Sequence, residues 1–301
     1  MSNKKAEKKK PMVPVVERVA ELAMQLGQRY LADYGAVRSR HDFTQRQLMS
    51  CLVLKAYLKT TYRGVLDLLK ASTQLRERLG MTKKVPHYTA LQKFSARGKV
   101  AEIATAMVLE IGRRAAEQAG ADGGSGPVAA VDATGLARTT VSDYFVSRRG
   151  HKVRRWVKLS VIVLCGSLMP IALVADLRPT HDCHHAVELL AQAAAKGVRP
   201  AKLYADRGYD AEWFHECCRE QWGVPVLIPP VHRRADGSVG GRWRSQMTAE
   251  HLQQEGYSSR WKVESFFSAL KRTMGGGLSA RRPDQMLCEA TIKVLAYALR
   301  R

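Results

Sequence analysis

The chain is short of acid and of aromatic rings: 27 Asp and Glu stand against 49 Lys and Arg, and Phe, Trp and Tyr together make 7% of residues. The resulting net charge of +22 excludes basic macromolecules as ready partners and favours polyanions, nucleic acid first, because phosphate neutralisation supplies much of the affinity in such complexes. Long apolar runs are also missing. The longest, around Val161 to Leu177, is broken by Gly166, Ser167, Pro170 and Asp176, so nothing reaches the ~18 uncharged residues of a membrane helix. The opening MSNKKAEKKKP is a lysine run with no apolar segment behind it and reads as a solvated arm, not a secretory signal. Six cysteines, at 51, 165, 183, 217, 218 and 288, lack the spacing of a disulfide framework and fit a reducing cytoplasm as small hydrophobes.

What is present is a globular composition, 46% hydrophobic over 301 residues, enough for one large domain or two. After the arm of residues 1–12, residues 13–120 carry helical periodicity, with Thr44 and Gln47 spaced as a capping box and basic side chains interleaved throughout. That pattern suits a small all-α DNA-binding domain of helix-turn-helix type, and equally a bundle whose basic faces are merely solvated. Residues 121–127, rich in Gly, read as a linker. From 128 to 301 the period changes. Val128–Asp132 reads as a short strand and Ala137–Phe145 as a second; Val157–Cys165 and Ile171–Asp176 flank a hairpin at Gly166-Ser167. Helices follow at 187–195, 211–222, from about 257 and from about 283, with strands at 202–206 and 224–228 and a basic loop from 229 to 256. The expected class is α/β, a mixed sheet flanked by helices.

Two acids stand out. Asp132 and Asp206 each end an apolar strand beside glycine, at the carboxyl edge where ligands of open α/β sheets gather, although a lone Asp there more often starts a turn. A third acid sits in Tyr257-x-x-Arg260-x-x-x-Glu264-x-x-x-x-x-x-Lys271. At about 100° per residue these four fall within roughly 60° of one helix face, beside an apolar stripe of Val263, Phe266, Phe267 and Leu270. An ordinary amphipathic surface helix would give the same pattern. His181-Asp182-Cys183-His184-His185 looks like a zinc cluster, but adjacent ligands cannot all converge on one tetrahedral ion; Asp182 and Asp210 read better as helix N-caps.

Asp132 in VDATG, Asp206 in ADRGYD and Glu264 in YSSRWKVESFFSALK together resemble the DDE triad of bacterial insertion-sequence transposases, whose catalytic core is ribonuclease H-like. The resemblance covers about Val128 to Arg301 and is only loose before that. It implies that the three acids are catalytic and hold two Mg²⁺ ions, with Mn²⁺ able to substitute, and that Tyr257, Arg260 and Lys271 contact the DNA backbone. It implies metal-dependent cleavage at terminal inverted repeats of an insertion sequence and strand transfer into target double-stranded DNA, by a homodimer in a bacterial, nucleoid-associated setting. The chemistry agrees: phosphodiester cleavage needs charge stabilisation on attacking and leaving oxygens, and Mg²⁺ prefers carboxylate oxygen. The segment between Asp206 and Glu264 is short beside relatives that insert a β-rich subdomain there; the basic loop from Arg233 to Arg244, with Trp243, reads either as a partial replacement that contacts DNA or equally as a solvated loop. A non-catalytic DNA-binding regulator or domesticated remnant, and another ribonuclease H-like nuclease, are the competing readings.

Overall fold

A computed structural model of the chain describes residues 13–38, 40–121, 126–138, 156–231 and 237–301. Six helices come first: α1 (Val15–Tyr30), α2 (Gln45–Tyr57), α3 (Tyr62–Ala71), α4 (Thr73–Arg78), α5 (Tyr88–Ser95) and α6 (Gly98–Ala121). Short polar side chains start several of them by satisfying free N–H groups. Thr44 and Gln47 form the capping box at α2, Thr61 accepts from Gly64 N at α3, and Ser72 accepts from Leu75 N at α4.

Strands β1 (Val128–Arg138), β2 (Trp156–Leu164) and β3 (Pro170–Asp176) then form an antiparallel meander, the β2–β3 turn falling at the expected Gly166-Ser167. Helix α7 (Asp182–Ala195) leads to β4 (Lys202–Tyr204), α8 (Glu212–Glu216) with a following π turn, and β5 (Val226–Leu227). Helices α9 (Ala249–Gln254) and α10 (Trp261–Met274), strand β6 (Gly277–Leu278) and helix α11 (Pro283–Arg300) complete the chain. The strand order β3-β2-β1-β4-β5, with β1 parallel to β4 and β4 to β5, makes the mixed, ribonuclease H-like sheet that the sequence implied.

Some expectations need correction. β1 does not stop at Asp132 but runs on to Arg138, because β2 holds it in register from Ala129↔Leu164 to Ala137↔Trp156. Most of the second strand expected at 137–145 therefore lies outside the described residues. The basic loop is not wholly irregular, since Thr248 caps α9 within it. β6 was not anticipated; two residues are too few for a visible period.

Two apolar clusters flank the sheet. One face, with Ala129, Val131, Ile162 and Ile171, packs under α7 and α8. The other, with Ala130, Leu136, Leu159 and Val161, is continuous with α10, α11 and the helices of the N-terminal half. α11 explains the continuity: Pro283 opens it, and from Thr291 to Leu299 every side chain is buried. α6 reaches the sheet at Gly112, where a Cβ would stand 2.4 Å from the Pro170 carbonyl oxygen, so only glycine permits the approach.

Candidate active site

The sheet leaves a notch beside β1. β4 pairs with β1 only as far as Ala130↔Tyr204, and β6 joins the same edge at Ala137↔Gly277. Among the described residues, no strand covers that edge between them. Asp132 lies at one end of the notch, on the face of Ala130 and Leu136 by strand alternation. Asp206 lies two residues past the end of β4, where the chain turns into a 3₁₀ turn, Arg207–Tyr209.

Each aspartate is held by backbone. Asp132 Oδ1 accepts from Ala133 N at 2.7 Å, and Asp206 Oδ1 accepts from Gly208 N at 2.8 Å. A Cβ on residue 208 would come 3.0 Å from Asp206 Oδ1, which accounts for the glycine in ADRGYD. Burial pushes Asp132 up to about 6; the negative charges of Asp206 and Asp182 push the same way, while the Ala133 N–H and the Arg260 guanidinium oppose. As they stand, no three His, Cys, Asp or Glu side chains among the described residues converge as metal ligands.

Glu264 comes from above the notch. Gly256, in the left-handed region at φ 74°, turns the chain into a 3₁₀ turn, Tyr257–Arg260, which becomes α10. The ~100° helical wheel therefore fails at its start: Tyr257 and Arg260 lie on the tighter turn, and only Glu264 and Lys271 share α-helical phase. The Tyr257 hydroxyl donates to the Ala205 carbonyl at 2.9 Å, beside Asp206. Arg260 lies between two acids, with Nη1 3.6 Å from Asp132 Oδ2 and Nη2 paired with Glu264. Lys271 Nζ donates to Thr134 Oγ1 at 2.7 Å, on the Asp132 face of β1. Val263, Phe266, Phe267 and Leu270 are buried as the apolar stripe required. Glu264 itself is exposed.

The two acids read as N-caps do other work. His181 caps α7, its Nδ1 accepting from Cys183 N, and Asp182 instead forms an ion pair with Lys158 at 2.5 Å. Asp210 is enclosed, and Ala211 occupies the N-cap of α8. Asp210 takes both Nε and Nη2 of Arg244, at 2.6 and 2.7 Å, and accepts from Val231 N. Glu212 accepts from Trp243 N and Arg244 N, so these two acids pin the basic loop. Of the His-rich run, His185 contacts Ser160 Oγ and Asp176, while His184 stacks near Trp213. Sequence reasoning missed the pairing of Asp182 with Lys158, which depends on how α7 docks and which spacing does not encode.

A mixed sheet with two carboxylates at its notch and a third on the covering helix is the arrangement expected of a DDE transposase. A family profile described as "Transposase DDE domain" matches residues 123–299, more than half of the chain. The protein belongs to that family: it is a DDE transposase, an enzyme of DNA transposition. No curated protein matches it. Among solved structures it is similar to a piggyBac transposase synaptic complex with hairpin DNA, at 8% identity and a TM-score of 0.46, over 95% of this chain and 71% of that one. Enzymes of this family are in general dependent on a divalent metal. No described helix is long and apolar enough to cross a membrane.

Proposed function

We propose that Asp132, Asp206 and Glu264 are the catalytic acids, that they hold two Mg²⁺ ions with Mn²⁺ able to substitute, and that the enzyme cuts at the terminal inverted repeats of its element and joins the freed ends to target DNA. The observation that carries this reading is the Arg260 guanidinium set between Asp132 and Glu264, with Asp206 two residues beyond β4 at the same open edge of β1. The donor set is all carboxylate oxygen, which suits hard divalent cations. Bound divalent ions supply charge neutralisation at the attacking and leaving oxygens of a phosphodiester. The protein's part is to hold the acids and position the backbone.

Arg260, at the N-cap of α10, and Lys271, within it, are the DNA contacts we propose. A guanidinium has five N–H donors and an ammonium three, so each keeps donors for phosphate beyond the bonds described. Tyr257 lies outside that helical phase, and we assign it to the DNA-contacting set through its bond to the Ala205 carbonyl, which supports a role in holding the Asp206 turn beneath the strand being cut. In the helical half, residues 13–120, the exposed Arg63, Lys70, Lys93, Arg97 and Lys99 favour engagement of the end DNA. A homodimer that pairs two ends, in a bacterial cytoplasm, completes the proposal.

A strand-transfer assay tests it. Sequencing the DNA that flanks the gene gives the terminal repeats, and a labelled end fragment carrying them is incubated with the enzyme and Mg²⁺. Joined products are expected. Cutting without joining would mark a nuclease, and binding without cutting a regulator.

A further inference from the structure

α10 carries Glu264 in its first turn, and its other end is closed by cations from two other elements. The last carbonyls of a helix lack intrahelical N–H partners and attract positive charge. Here the Arg272 carbonyl accepts from Lys59 Nζ at 2.8 Å, and the carbonyls of Met274 and the capping Gly275 accept from Lys293 Nζ at 2.7 and 2.9 Å. Lys293 belongs to α11 and is 6% exposed, so it is a fixture of the core. Lys59 comes from the helical half, 213 residues away along the chain. Its position is unusual for a lysine. α2 ends in a Schellman motif, with Thr60 N bonded to the Lys55 carbonyl and Lys59 N to that of Ala56, both at 3.1 Å. Lys59 is the left-handed residue of that motif, at φ 51°, where glycine is the usual choice and a Cβ is penalised. What a lysine supplies there, against the backbone preference, is the bond to α10. One turn earlier Lys55, itself buried, pairs with Glu289 of α11 at 3.6 Å, and Glu289 accepts from Ser279 N and Ala280 N just beyond β6. The end of α2 therefore grips the passage from α10 through β6 on both sides.

We propose that Lys59 is a positioning residue, which fixes the place of α10, and with it Glu264, relative to the helical half where end DNA is engaged. This rests on the reading of Glu264 as a catalytic acid. Glu264 is exposed, so the helix, not packing of its own side chain, sets where its carboxylate stands. Arg272 lies about two turns further along the same unbroken helix, so a shift at that end is carried to the acid. The competing explanation is that Lys59, exposed at the surface, is one more cation for phosphate. On that view a glycine-type bend would have no reason to carry it towards the end of α10.

Single-turnover cleavage of the labelled end fragment by saturating full-length enzyme, measured beside binding of the same fragment, separates the two explanations. Lys59→Asn and Lys59→Gly both suit a left-handed backbone and lack the ammonium, so each should melt near wild type, and the second serves if the first fails to fold. Both should bind the fragment with wild-type affinity and salt dependence and cut it about tenfold more slowly, since a misplacement of about 1 Å can cost more than that. Lys59→Arg, which keeps a cationic donor, should recover most of the rate. Amide hydrogen exchange over residues 261–274 should quicken in the two slow variants. A loss confined to affinity and salt dependence would make Lys59 a phosphate contact, and wild-type rates in both variants would make it an ordinary surface residue; either result overturns the proposal. Glu264→Gln is the reference. If it fails to cut while the Lys59 variants cut normally, only this inference fails; if it cuts normally, the assignment of the acid fails and this inference with it.

Discussion

Asp206 and Asp210 stand four residues apart in one motif and have opposite surroundings. Asp206 is partly open to solvent, and its bond comes from the Gly208 N–H. Asp210 is enclosed, with its carboxylate taken up by Arg244 and Val231 N. One acid is left partly open beyond the end of β4, while the other fixes the basic loop. α10 and its N-cap repeat the contrast: Val263 and Phe267 build the support, while Arg260 at the cap, Glu264 and Lys271 face the notch or solvent. The same element therefore carries residues whose loss should be felt as stability and residues whose loss should be felt as activity.

The largest effect should come from the supporting side. Val263→Asp puts an unpaired carboxylate at a fully buried position and should unfold the site, at a cost of several kcal/mol seen in thermal denaturation. Asp210→Ala should follow at about 3–5 kcal/mol, because the largely buried Arg244 guanidinium would lose its counter-charge and keep only the Gly240 and Val231 carbonyls. Asp206→Asn should leave the melting transition close to wild type; a loss as large as that of Asp210→Ala would erase the comparison. On the working side, Arg260→Ala and Lys271→Ala should change stability by no more than about 0.5 kcal/mol while weakening DNA binding and its salt dependence. Wild-type strand transfer by both would make the stripe an ordinary surface. At neutral pH the smallest effect belongs to His215. Burial, aided by the Arg219 charge, lowers it to about 4, so the folded state refuses a proton that the unfolded chain accepts below about 6.5. Its stabilisation is complete above that value and is lost as pH falls towards 4. His215→Gln should flatten that part of the melting-temperature profile.

Local features were legible in the sequence because their causes are local. The Thr44–Gln47 capping box, the Gly166-Ser167 turn and the buried stripe of α10 follow from spacing and side-chain chemistry alone. Asp132 and Asp206 could be singled out because an acid closing an apolar run is conspicuous, although β1 continues past Asp132. Asp210 and Asp182 could not be sorted from N-caps, since their partners, Arg244 and Lys158, are 34 and 24 residues away and are reached only by folding. The direction of the Tyr257 hydroxyl was hidden for the same reason: the 3₁₀ turn at 257–260 departs from the helical wheel and aims the ring at Ala205. Two-residue strands such as β6 are set by what they pair with and have no period to read.

The central claim is that three acids work together at the notch. Its most direct test is Mg²⁺-dependent cleavage of labelled end DNA by Asp132→Asn, Asp206→Asn and Glu264→Gln, measured alongside binding of the same fragment. Each variant should bind the end nearly as wild type does and fail to cut it; near-normal cleavage by any one of them would remove that residue from the triad and contradict the account.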